Sequence, residues 1–109
     1  MATFEDFMKL DIRVGTIIEA SALEGVRKPA YKLKIDFGSE VGIKKSSAQI
    51  TDLYKPEELI GKQIFGVVNL PQKQIASFKS EVLVLGAYNE SGVILAIPDL
   101  KADNGNKLG

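Results

Sequence analysis

The sequence predicts an all-β fold, a five-stranded antiparallel barrel with one short helix at the N-terminus and another between strands three and four. Three observations predict it. Ile12 to Ala22 and Tyr31 to Phe37 alternate apolar and polar residues, as strands with one buried face do. Ile64 to Val68 and Val82 to Leu85 are continuous apolar runs bounded by turn residues, which suits strands covered on both faces. Between these two groups, Pro56-Glu57-Glu58 followed by Gly61 suits the first turn and the end of a short helix. The paired acids there complement the helix N-terminus rather than forming a catalytic pair.

The elements follow in order. Thr3 and Asp6, with Phe4, Phe7, Met8 and Leu10 behind them, predict a short capped helix with one apolar side. So short a helix is stable only when docked, either on its own barrel or on a second copy of the chain. In the first strand Ile12, Val14, Thr16, Ile18 and Ala20 share one face, and Gly15 predicts a bulge or bend. Leu23 to Ala30 is a loop. The second strand turns Tyr31, Leu33, Ile35 and Phe37 inward and Lys32, Lys34 and Asp36 outward. After a turn at Gly38 and Ser39, Val41 to Ser47 forms the third strand, with Lys44 and Ser46 expected beside Lys32 and Lys34 on the outer side. Thr51 to Ile60 is a turn and short helix, and Lys62 to Val68 is the fourth strand. The polar connection that follows holds Asn69, Pro71, Lys73, Ser77, Lys79 and Ser80, and loops hung from a rigid core commonly carry binding groups. A fifth strand runs from Glu81 to Tyr88, turns through four residues at Asn89 to Gly92, and returns as Val93 to Ile97. Pro98 to Gly109 is mostly irregular. This order is that of an OB-fold, a Greek-key barrel, and the helix between strands three and four argues against an SH3-like barrel.

Composition narrows the function. At 109 residues, 45% hydrophobic and 26% charged, the chain is one domain. It holds no cysteine and no histidine, which removes thiol nucleophiles, thiolate or imidazole metal sites and histidine acid–base chemistry. No enzyme activity, metal or cofactor is expected. No apolar run approaches the roughly 20 residues of a membrane span. Glu5 and Asp6 also stand where a secretory leader has a basic start, so a cytoplasmic protein without membrane insertion is expected. Net charge is zero, but Arg27, Lys28, Lys32, Lys34, Lys44 and Lys45 cluster in one segment, with Lys73 and Lys79 in another. If the two segments meet in space they form a local positive patch.

Several short stretches resemble the tRNA-binding-domain family. They are Asp11 to Gly15, Pro29 to Leu33, Tyr54 to Leu59 with Gly61-Lys62, and Val67 to Leu70, and the resemblance covers about residues 5 to 109. That family comprises OB-fold modules, free-standing or fused to aminoacyl-tRNA synthetases. Ile43 to Ile50 and Phe78 to Gly86 are most similar to a free-standing branch of export-related chaperones. The resemblance implies a homodimer formed through the terminal segments, with Phe4, Phe7, Met8, Leu10, Leu100 and Leu108 as interface candidates. It implies unfolded precursor proteins or peptides as partners, together with the export machinery. The alternative or additional activity is binding of folded tRNA, with Lys32, Lys34, Lys44, Lys73 and Lys79 toward phosphates and Ser46, Asn69 and Ser80 as hydrogen-bonding groups. Tyr31 and Phe37 are read as inward-facing, so Phe78 is the one candidate for an outward aromatic at the basic segments, and it is expected to be packed. Ser77, Val82 and Leu83 stand where tRNA-binding members carry a glycine and a Gly-Met pair, so close backbone approach to RNA is not expected there.

Overall fold

The computed structural model describes residues 1–109. Its elements are α1 (Phe4–Met8), β1 (Ile12–Ala22), β2 (Tyr31–Asp36), α2 (Gly38–Val41), β3 (Ile43–Ala48), α3 (Pro56–Leu59), β4 (Gln63–Val67), β5 (Lys73–Ile75), β6 (Phe78–Ser80), β7 (Leu83–Val84), β8 (Gly86–Asn89) and β9 (Gly92–Leu95). Strands pair antiparallel in the order β3-β2-β1-β4-β7. The free edge of β3 is then met by the chain entering β7. The Glu81 N–H donates to the Lys45 carbonyl (2.8 Å), the Lys45 N–H to Glu81 Oε1 (3.0 Å), and the Ser47 N–H to Ser80 Oγ (3.0 Å). The result is a nearly closed five-stranded OB-fold barrel with short helices where the sequence places them. Ile17, Leu33, Ile35, Phe37, Leu59 and Ile64 fill it.

The bulge lies later than expected, and this changes which residues face the core. Ile17 pairs with Ile35, yet Glu19 pairs with Lys34, so Ile18 is the extra residue. Gly15 and Ile17 face inward before it and Ala20 after it, correcting the single-face reading of β1. Such a bulge bends one long strand around two partners, and β1 pairs with β4 along Ile12 to Thr16 and with β2 beyond. Gly15 serves close packing instead. A Cβ there would lie 2.6 Å from Ile35 Cγ2 and 2.8 Å from the Phe37 ring.

Five other features differ. Residues Gly38–Val41 form a helical turn closed by Gly42 at φ 88°, so β3 starts at Ile43. The fifth strand is broken at Leu85, whose N–H donates to the Phe65 carbonyl while its own carbonyl accepts from Ala96 (3.0 Å each). Beyond the break, β8 and β9 make a separate hairpin. Its turn is two residues, because Asn89 pairs with Gly92. The polar connection is itself a hairpin, β5–β6, turning at Ala76 with φ 52°. Finally, the tail is not irregular where it passes the free edge of β1. The Val14 N–H donates to the Asn106 carbonyl (2.9 Å), the Gly105 N–H to the Val14 carbonyl (2.8 Å) and the Leu108 N–H to the Ile12 carbonyl (2.9 Å). Unpaired strand edges are costly, and the tail covers this one.

Candidate binding site

Register decides which lysines share the outer face. Residues directly opposite in an antiparallel pair point the same way. Lys34 lies between Glu19 and Lys45, and Lys32 between Ser21 and Ser47. The outer basic row is therefore Lys32, Lys34 and Lys45. Lys44 lies opposite Ile35 and Ser46 opposite Leu33, on the core-facing side, which corrects the expectation that these two would stand beside Lys32 and Lys34. The cause is α2, which delays the start of β3. Ser46 is fully buried, its hydroxyl donating to the Val82 carbonyl (3.1 Å) and the Ser47 carbonyl (2.9 Å). It has no path to an external ligand. Lys34 Nζ is held 2.9 Å from Glu19 Oε2, an exposed pair of small energetic weight.

The two basic segments adjoin at one point. Lys45 Nζ stands 5.5 Å from the centroid of the half-buried Phe78 ring, within cation–π range. Lys79 is exposed on the other face of the β5–β6 arm, opposite Gln74, whereas Lys73 pairs with Ser80. Ser80 is buried, accepting from the Ser47 N–H and 3.4 Å from the Val82 carbonyl. Ser80 thus ties the arm to β3. Asn69 is also engaged internally, bonded through both amide atoms to Asp11 and Lys9 (2.8 Å each).

Beneath the arm runs a groove of about 520 Å³. Leu70, Pro71, Ile75, Leu83, Tyr88 and Val93 line it, with Lys73 and Glu81 as its charged members. Sequence reasoning missed it. An apolar residue lining a groove has the same pattern as one lining the core, and only the pairing of β5 with β6 lifts Ile75 over this surface.

The terminal apolar residues separate into two places. Phe4, Met8 and Leu10 are exposed, α1 buries none of its residues, and Phe7 is half-buried. Leu108 joins Ile12, close to the end of α1, whereas Leu100 lies near Ala102, which is bonded to Gln63 across from Thr16. Arg13 fastens these ends together. It bonds Asp11 Oδ1 (2.6 Å), the Gly105 carbonyl (3.0 Å) and Glu40 Oε1 (3.4 Å). The Arg13 guanidinium holds the Asp11 carboxyl below the usual carboxylate range, and Asp11 in turn raises Arg13. This cluster joins segments far apart in sequence and carries no free group for chemistry. No cluster of three metal-ligating acidic, histidine or cysteine side chains is formed.

The model of the family described as "Putative tRNA binding domain" matches residues 12–107. The chain is similar to the solved chaperone CsaA of Bacillus anthracis str. Ames, at 53% identity and a TM-score of 0.94, covering 100% of this chain and 99% of that one. It is also similar to the CsaA chaperone protein of Picrophilus torridus, at 57% identity and a TM-score of 0.96 with both chains fully covered. The methionine–tRNA ligase of Caldanaerobacter subterraneus subsp. tengcongensis is 38% identical over 106 residues. There the match takes in 97% of this chain but 16% of the ligase. The chain spans 13% to 16% of the length of the ligases it matches.

Proposed function

This chain belongs to the tRNA-binding-domain family and, within it, to the CsaA chaperones, and from that premise we propose how it works: it holds extended apolar segments of unfolded proteins in the groove beneath the β5–β6 arm. It is a binding protein and not an enzyme. The groove itself carries the reading. Its lining is mainly apolar, while Lys73 and Glu81 give it one charge of each sign, so an unfolded segment can bury side chains there whatever the sign of its flanks. We read the cargo as precursor proteins in the cytoplasm, passed on to export machinery.

The test is suppression of aggregation of a chemically unfolded protein on dilution. Ile75→Asp and Leu83→Asp place a charge in the groove and should abolish the effect while leaving the melting temperature within a few degrees, since Leu83 is half exposed and Ile75 partly so. Full protection by both variants would sink the groove reading.

A second reading is favoured by one observation, the outer row of Lys32, Lys34 and Lys45 ending at Phe78. Three adjacent cations and an aromatic edge suit phosphates and a base of a folded tRNA. Anisotropy of labelled bulk tRNA at several salt concentrations tests it. Lys45→Ala should weaken binding and reduce the salt slope by about one, whereas Lys44→Ala should leave both unchanged. Equal effects from the two variants would reject this face as the RNA surface.

A further inference from the structure

The β1–β4 ladder has one more rung than its backbone supplies. Its last main-chain bond runs from the Val68 N–H to the Asp11 carbonyl (2.8 Å). One step on, Asn69 Oδ1 accepts from the Asp11 N–H (2.8 Å) and Asn69 Nδ2 donates to the Lys9 carbonyl (2.8 Å). A main-chain N–H only donates and a carbonyl only accepts, so these partners fix which way the amide points. The side chain acts as an extra peptide unit that fastens the end of α1 to the end of β4. Immediately beyond it, Leu70 and Pro71 line the groove, and the chain continues into β5 of the arm. One side chain therefore fixes two things, the exit of a helix whose apolar side is unburied and the base of the arm.

We propose that Asn69 is a positioning residue for the groove: by fastening the chain after α1 to the end of β4 it holds the base of the arm in the geometry that binds peptide. The proposal rests on the groove reading. It gives Asn69 a role distinct from contact with RNA, since both amide atoms are already engaged.

Asn69→Ala and Asn69→Asp test it, with two measurements on the full chain. One is the affinity for a fluorescein-labelled nonapeptide of leucine and serine, read by anisotropy. The other is amide hydrogen exchange. Asn69→Ala should weaken peptide affinity about fivefold, the scale of one lost hydrogen bond's worth of positioning, and should speed exchange both at residues 9–12 and along Lys73 to Ser80. Asn69→Asp keeps the acceptor for the Asp11 N–H but cannot donate to Lys9, and should fall between wild type and alanine. Faster exchange confined to residues 3–12 with unchanged peptide affinity would overturn the proposal and leave Asn69 as a fastener of the terminus. Failure of the wild-type protein to bind the peptide would overturn the groove reading and this proposal together, which is a different result. Should the alanine variant fail to fold, the aspartate variant decides by the same two measurements.

Discussion

Gly15 and Gly66 stand on adjoining strands, β1 and β4, and the ring of the buried Phe37 packs against both. A Cβ on Gly66 would lie 2.9 Å from Phe37 Cζ, with the next neighbour beyond the ring, the Leu83 carbonyl oxygen, at an ordinary 3.5 Å. The glycines are small so that one aromatic ring can fill the barrel. Gly66→Ala is therefore an overpacking change of roughly 1–3 kcal/mol, and Phe37→Leu, which removes the far end of the ring, should relieve most of it. Urea unfolding of the four members of this double-mutant cycle measures the coupling. An equal cost of Gly66→Ala in both backgrounds would show that the ring is not the obstacle.

At the scale of elements, the barrel is fastened by side chains that reach across connections. The Tyr31 hydroxyl donates to the Tyr54 carbonyl (2.6 Å), and the Tyr54 hydroxyl accepts from the Leu95 N–H (3.0 Å). Tyr54 thus links the approach to α3 both to β2 and to β9, and Lys62 Nζ sits 5.9 Å from its ring centroid. Leu95 is buried, so Tyr54→Phe strands its N–H without an acceptor. The expected loss is about 1–3 kcal/mol, with faster exchange at the Leu95 amide. Unchanged exchange there would mean that the hydroxyl bond contributes nothing to holding β9.

Across the whole molecule, the fold leaves apolar surface that it does not use. On α1 Phe4 is 73% exposed and Met8 55%, and at a separate place Leu100 is 78% exposed; an apolar helix face left open in this way marks an interaction site. We predict self-association through α1. In sedimentation equilibrium, Phe4→Asp combined with Met8→Asp should shift the protein toward monomer by at least tenfold in dissociation constant. Leu100→Asp should act less strongly if the interface centres on α1, because Leu100 lies at the far end of the stretch of β1 that the tail follows. A wild-type protein that stays monomeric at high concentration would rule this out.

The sequence by itself determined the order of the first four barrel strands and of the helices α1 and α3, the inward face of β2, the capping of α1 by Thr3 and Asp6, and the family. These are local properties, legible because period-two alternation, capping chemistry and turn residues act over a few neighbours. Tertiary structure alone decided the rest. The bulge at Ile18 depends on one strand having two partners. The exchange of Lys44 for Lys45 on the outer face follows from α2 and from a register counted across strands, and a one-residue slip reverses every side chain. The engagement of Asn69, Ser46 and Ser80 in internal bonds, and the apolar groove under the arm, join residues 30 to 60 positions apart or surfaces that exist only once β5 has paired with β6. Which side chains remain free for a ligand is what is left after the fold has used the others, and no local pattern records that remainder.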